Sequence, residues 1–127
     1  MSHKKIVAVV DDDESVRESL PALLESFGFE TRAFSSAEQY LGDDKAAPDC
    51  LILDVAMPGM SGPELYRELV AQSRQVPTIF ITAHSSDGIG PVSIDRKLTP
   101  CLVKPFSEEG IVSAVRAALE KSGRSDD

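Results

Sequence analysis

The chain has 127 residues, 42% of them apolar and 27% charged, which suits one globular domain and excludes a fully disordered chain. Thirteen Lys and Arg face 21 Asp and Glu, a net charge of −8; such a surface repels phosphate backbones and anionic lipid, so this chain alone is expected to bind neither nucleic acid nor membrane. No apolar run approaches the ~20 residues of a spanning helix. The opening MSHKKIVAVVDDDE lacks a small-residue cleavage site after its apolar run, so a cytoplasmic protein without a signal peptide is expected. Cys50 and Cys101 each lie in an apolar run and read as buried thiols in a reducing compartment.

In chain order, Ile6 to Val10 (IVAVV) is an unbroken apolar run that ends in Asp11-Asp12-Asp13-Glu14. With no polar alternation it reads as a strand covered on both faces. Val16, Leu20, Leu23, Leu24 and Phe27 then recur at helical spacing up to a stop at Gly28, with Pro21 as an awkward interior residue. Glu30 to Phe34 reads as a second strand, and Ser35 with Glu38 as a capping box opening a short helix through Leu41. Cys50 to Leu53 is an apolar strand ending at Asp54, followed by a loop, MPGMSG, and a helix from Glu64 to Gln72. Thr78 to Ile81 is another apolar strand, ending at Thr82. Leu102-Val103 is a brief last strand before Lys104-Pro105, and Ser107 caps a final helix with Ile111, Val112, Val115 and Leu119 on one face.

This alternation predicts an α/β fold, a doubly wound five-stranded parallel sheet with flavodoxin-like strand order 2-1-3-4-5. Residues 1–121 form the domain and 122–127 a polar C-terminal tail. Open sheets of this kind place ligands at the carboxyl ends of their strands, where the residues are Asp11 and Asp12, Asp54, Thr82 and Lys104. Three converging carboxylates repel one another, and a hard divalent cation such as Mg²⁺ relieves that repulsion. A hydroxyl at Thr82 and an ammonium at Lys104 suit phosphoryl oxygens. Together these parts can accept a phosphoryl group. Asp13 and Glu14 read more simply as a helix start, where acids complement the dipole. Met57 and Met60 read as loop packing, since thioethers prefer soft ions.

VVDDDE, LILDVAMPGMSG, TIFITAH and CLVKPF, in this order and spacing, resemble the receiver domain of two-component response regulators, and within it the nitrogen-fixation regulator subgroup. The resemblance spans about residues 5–121. It implies Asp54 as the phosphoacceptor, supplied by a sensor histidine kinase or phosphotransfer protein, with output through a downstream protein target. It implies Mg²⁺ held by Asp12, Asp54 and the main-chain carbonyl of Ala56, with Asp11 acting through water. Thr82 and Lys104 would contact the bound phosphoryl group, and Ala56 and His84 would line the pocket rim. Such a regulator is not an enzyme beyond its own phosphorylation and dephosphorylation.

The sequence departs from that pattern twice. Cys101 stands where receivers usually carry a switching aromatic. SSDGIGPVSIDRKLTP, where the family's fourth helix belongs, is rich in Gly and Pro, so a loop to about Gly90 and at most a short helix from Pro91 are expected. Two other functions compete. A magnesium-dependent phosphohydrolase with Asp54 as nucleophile, of the haloacid-dehalogenase type, would need a second acid two residues after it, where Ala56 stands. A binding module that switches without phosphate would not need the intact acid, threonine and lysine set.

Overall fold

A computed structural model describes residues 5–43, 47–82, 101–103 and 107–122. Their elements run β1 (Ile6–Val10), α1 (Glu14–Ser26), β2 (Glu30–Phe34), α2 (Ala37–Gly42), β3 (Cys50–Asp54), α3 (Gly62–Ala71), β4 (Thr78–Thr82), β5 (Cys101–Val103) and α4 (Glu108–Ser122). The five strands form one parallel sheet in the order β2-β1-β3-β4-β5. The segment expected to depart from the family's fourth helix lies outside the described residues; α4 is the helix expected after Ser107.

The apolar runs are explained by two cores. Successive strand residues point to opposite faces. Val7, Val9, Cys50, Ile52, Ile79 and Ile81 therefore meet α1 and α4 on one face, through Leu20, Leu24, Ile111, Val112 and Val115. Ala8, Val10, Leu51, Leu53 and Phe80 meet α2 and α3 on the other, through Ala37, Tyr40, Leu65 and Leu69. Each large aliphatic side chain so buried contributes roughly 1.5–3 kcal/mol. Aromatic edges lock the second core: Phe34 and Tyr40 meet at 5.1 Å between centroids, and Tyr66 and Phe80 at 5.9 Å.

Several local expectations need correction. Phe27 is not on the buried face of α1; it is the C-cap and 43% exposed, while Phe29, two residues on, is buried. Gly28 at φ 97° lets the chain turn there, with Phe29 N donating to Leu24 O and Gly28 N to Glu25 O. Pro21 lies well inside α1, whose first residue is Glu14, so the helix tolerates one missing donor. The cap of α2 is Ser36 rather than Ser35; its hydroxyl accepts from Gln39 N, while the Gln39 side chain turns back to Ser35 N. Finally, α3 starts at Gly62, two residues before Glu64. Ser61 and Glu64 form the capping box there, with Glu64 N donating to Ser61 Oγ and Ser61 N to Glu64 Oε1.

Candidate functional site: an acidic cluster at the carboxyl edge of the sheet

β1 runs straight into Asp11, whose N–H extends the β1–β2 ladder by donating to Phe34 O at 3.1 Å. The Asp11 side chain turns back on its own loop, with Oδ1 accepting from Asp13 N at 2.9 Å. Asp13 is the N-cap of α1, its carboxylate accepting from Ser15 N, and Glu14 sits in the first turn. Both acids thus serve the helix start. Asp12, between a buried neighbour and the cap, stays exposed.

Asp54 is the last residue of β3, opposite Ile81 in the β3–β4 ladder, and only 5% exposed. Val55 N continues the ladder by donating to Ile81 O at 2.8 Å. One carboxylate oxygen from each of Asp11, Asp12 and Asp54 lies within 4.8 Å of the others. Two unit charges at that spacing repel by about 3–4 kcal/mol at an effective dielectric of ~20. The cluster fits a hard divalent cation: all its donors are carboxylate oxygens, and two of the three acids, Asp11 and Asp54, are buried where their repulsion is least screened. Thr82 closes β4 next to this edge, buried at 3% exposure, with Val103 opposite it on β5.

The three acids and Thr82 therefore gather where the strand ends were expected to bring them. Ala56 is exposed on the loop just after Asp54. Lys104, the next residue after β5, and His84 lie outside the described residues, as does the side chain of Cys101. Met57 is buried and Met60 packs against the α2–α3 core, as packing residues should. Cys50 is a free, buried thiol whose pKa burial pushes up to about 12, which makes it inert. It lies on β3, with β4 between it and the strand of Cys101.

Three residues near the site were given no part in it from the sequence, where Glu38 was read only as a capping partner of Ser35. Arg17 of α1 donates through Nη1 to the main-chain oxygen of Asp11 at 3.0 Å. Glu38 of α2 accepts from Met60 N at 3.2 Å across the loop after Asp54. Gly62 packs its bare Cα against the main chain of Asp54, where a Cβ would overlap the Asp54 carbonyl oxygen. Of the three, Gly62 was the easiest to find, because Ser61 and Glu64 at capping-box spacing already put a helix start there.

Comparison with known proteins agrees with this geometry. Residues 7–116 match the family model described as the response regulator receiver domain. The response regulator protein TodT of Pseudomonas putida is 40% identical over 116 residues, 91% of this chain and 51% of TodT. The transcriptional regulatory protein FixJ of Azorhizobium caulinodans is 39% identical over 127 residues, 95% of this chain and 59% of FixJ. The chain thus spans about half the length of these curated relatives. The crystal structure of FixJ-N superposes with a TM-score of 0.84 at 32% identity, covering 98% of this chain and all of that one. A parallel sheet with acids at its carboxyl edge, matched over most of its length by this model, places the chain in the response regulator receiver domain family.

Proposed function

We propose that the chain is the phosphoacceptor of a two-component phosphorelay, with Asp54 taking a phosphoryl group from a phosphohistidine of a sensor kinase or phosphotransfer protein. The observation that carries this reading is the convergence of Asp11, Asp12 and Asp54 at one edge of the sheet, with only Asp54 ending a fully buried strand. In the step, an Asp54 carboxylate oxygen forms a bond to phosphorus as the P–N bond breaks, and that bond's electron pair leaves with the imidazole. The product is an acyl phosphate, which water later cleaves to restore the carboxylate and release phosphate.

Asp11, Asp12 and Asp54, with the main-chain oxygen of Ala56, would hold Mg²⁺. When bound, the ion neutralises the acids and the charge developing on phosphoryl oxygens. The β3–β4 ladder fixes the main chain that carries Asp54, so its carboxylate starts from a held backbone. Thr82 is suited to donate its hydroxyl to a phosphoryl oxygen and Lys104 to pair with another. Ala56 and His84 are assigned to the rim, where side-chain size and polarity set access of water to the acyl phosphate. Cys101 is assigned to the switch position, with a smaller side chain than the family's aromatic. The receiver domain is assigned to residues 1–121, with 122–127 as a tail, and the reaction to the cytoplasm.

Intact-mass measurement after incubation with acetyl phosphate and Mg²⁺ tests the reading. Wild type should gain one phosphoryl group, and Asp54→Asn should gain none. Equal labelling of the variant would move the acceptor to another residue.

A further inference from the structure

We infer that Arg17 is a positioning residue of the acidic cluster, gripping the loop that carries two of its three carboxylates. The inference rests on the Mg²⁺ reading above and adds a residue which that reading does not use.

The segment from Asp11 to Asp13 is held by four main-chain groups. Asp11 N donates to Phe34 O, and Asp13 N donates to Asp11 Oδ1. Asp13 O accepts from Val16 N and Arg17 N at the helix start. The remaining group is the Asp11 carbonyl oxygen, and it accepts from Arg17 Nη1 at 3.0 Å. That carbonyl belongs to the Asp11–Asp12 peptide, so its orientation sets the direction in which the Asp12 side chain leaves the loop. Asp12 itself is exposed. The guanidinium is therefore the group best placed to fix that peptide plane.

Arg17 does this from a half-buried position one turn into α1. Among the described residues the one ion pair within 4.0 Å is Arg32 with Glu30, so Arg17 meets this loop through the main chain rather than through a carboxylate. A planar guanidinium is suited to that task, because it holds direction better than an ammonium on a four-carbon stem.

Two effects of removing Arg17 oppose each other in sign. Losing its positive charge near the cluster favours a divalent cation by relieving like-charge repulsion. Losing its hydrogen bond frees the Asp11–Asp12 peptide and disperses the ligands; loss of such outer partners weakens metal affinity by about 10–100-fold. The charge effect is screened at a half-exposed site, so the positioning effect should win.

The experiment is a Mg²⁺ titration of the full chain by calorimetry, with thermal unfolding of each metal-free protein as the folding control. Wild type, Arg17→Met and Arg17→Lys are compared, with Arg17→Gln in place of the Met variant if that one does not fold. The Met variant should bind Mg²⁺ about tenfold or more weakly than wild type. The Lys variant, with charge kept and the fork lost, should recover part of the affinity. In the metal-free protein, the amide of Asp13 should exchange faster in the Met variant, a readout independent of metal. Met-variant affinity equal to or tighter than wild type, with wild type binding normally, would overturn the role of Arg17 and leave the Mg²⁺ site standing. Absence of binding in wild type would instead overturn the metal reading, and this inference with it.

Discussion

Replacing Gly62 by Ala tests how tightly the start of α3 is pressed against the phosphoacceptor strand. An added Cβ would overlap the Asp54 carbonyl oxygen and stand 3.1 Å from its carbonyl carbon and 3.2 Å from Val55 Cα. All three are main-chain atoms, so no side chain can swing aside. On one side Val55 N is held by Ile81 O at 2.8 Å; on the other Gly62 N is held by Val55 O at 3.0 Å. Restoring ordinary contact needs a retreat of about 1 Å between helix and strand. Overpacking of this kind costs about 1–3 kcal/mol, or roughly 3–15 °C of Tm for a domain this size. Helix propensity pulls the other way, favouring Ala over Gly by up to ~1 kcal/mol. The sign of the Tm change therefore decides between contact and open space. Because the displaced group carries the Asp54 carboxylate, the Mg²⁺-induced rise in Tm should also shrink. Gly28→Ala is the control: its φ of 97° costs about 1 kcal/mol, but nothing lies within 4 Å and the site is remote, so its Mg²⁺ response should survive. A Gly62→Ala protein as stable as wild type, with an unchanged Mg²⁺ response, would refute the packing argument.

Ser73 holds φ 58° just past α3, with its N–H on Val70 O and Arg74 N on Leu69 O, a turn that glycine prefers. Ser73→Gly should raise stability by about 0.5–1 kcal/mol in urea unfolding; a loss would show that the Ser73 side chain matters to the turn. Arg74 spans from that turn to the end of α2, donating to Leu41 O and Asp43 O and lying 5.9 Å over the Tyr40 ring. Arg74→Met should cost about 1–3 kcal/mol and lower the urea midpoint, whereas an unchanged midpoint would mean that water replaces both bonds freely. With its pKa at about 12, Cys50 is one part in ~10⁴ thiolate at pH 8. In a Cys101→Ser background iodoacetamide should thus label it far more slowly when folded than in urea, and equal rates would contradict its burial. The folded protein keeps that thiol protonated above the ordinary value of 9.0, so this contribution to stability is present below pH ~9 and is lost as pH rises towards 12.

The parallel sheet was legible because both of its faces are covered. IVAVV, CLIL and TIFI carry no polar alternation, and each run feeds its odd and even residues to different cores. Helix ends were harder to read. Ser35 and Ser36 are equivalent in composition, and which one caps α2 depends on where Gln39 and Glu38 go. Glu38 goes to Met60 N, 22 residues away, so a rule confined to local spacing assigns it wrongly. Phe27 was misplaced for a related reason. Its spacing continues the apolar stripe of α1, but Gly28 ends the helix and turns Phe29 inward instead. Outside α1, Phe27 meets the Arg116 guanidinium at 5.8 Å.

The acidic cluster was legible for a different reason. Carboxylates at the ends of apolar strands are out of place as core residues and meaningful as ligands, so residue type together with position at a strand end marked Asp11, Asp12 and Asp54. What residue type could not mark is how they are held. Arg17, Glu38 and Gly62 each act on main chain: the carbonyl of Asp11, the amide of Met60, the carbonyl of Asp54. Every residue except proline offers the same amide and every residue the same carbonyl, so these contacts leave no signature in the partner's identity. An arginine in the first turns of a helix reads as a solvated face, and a glycine beside a helix cap marks the helix start without showing what it packs against. The two halves of the site therefore differ in how substitutions should behave. Changes at the three acids should act on the charge and coordination of the cluster directly. Changes at Gly62 should act on its geometry while leaving every charge in place, and at Arg17 the lost charge works the other way, so loss of Mg²⁺ affinity in either variant reports on placement.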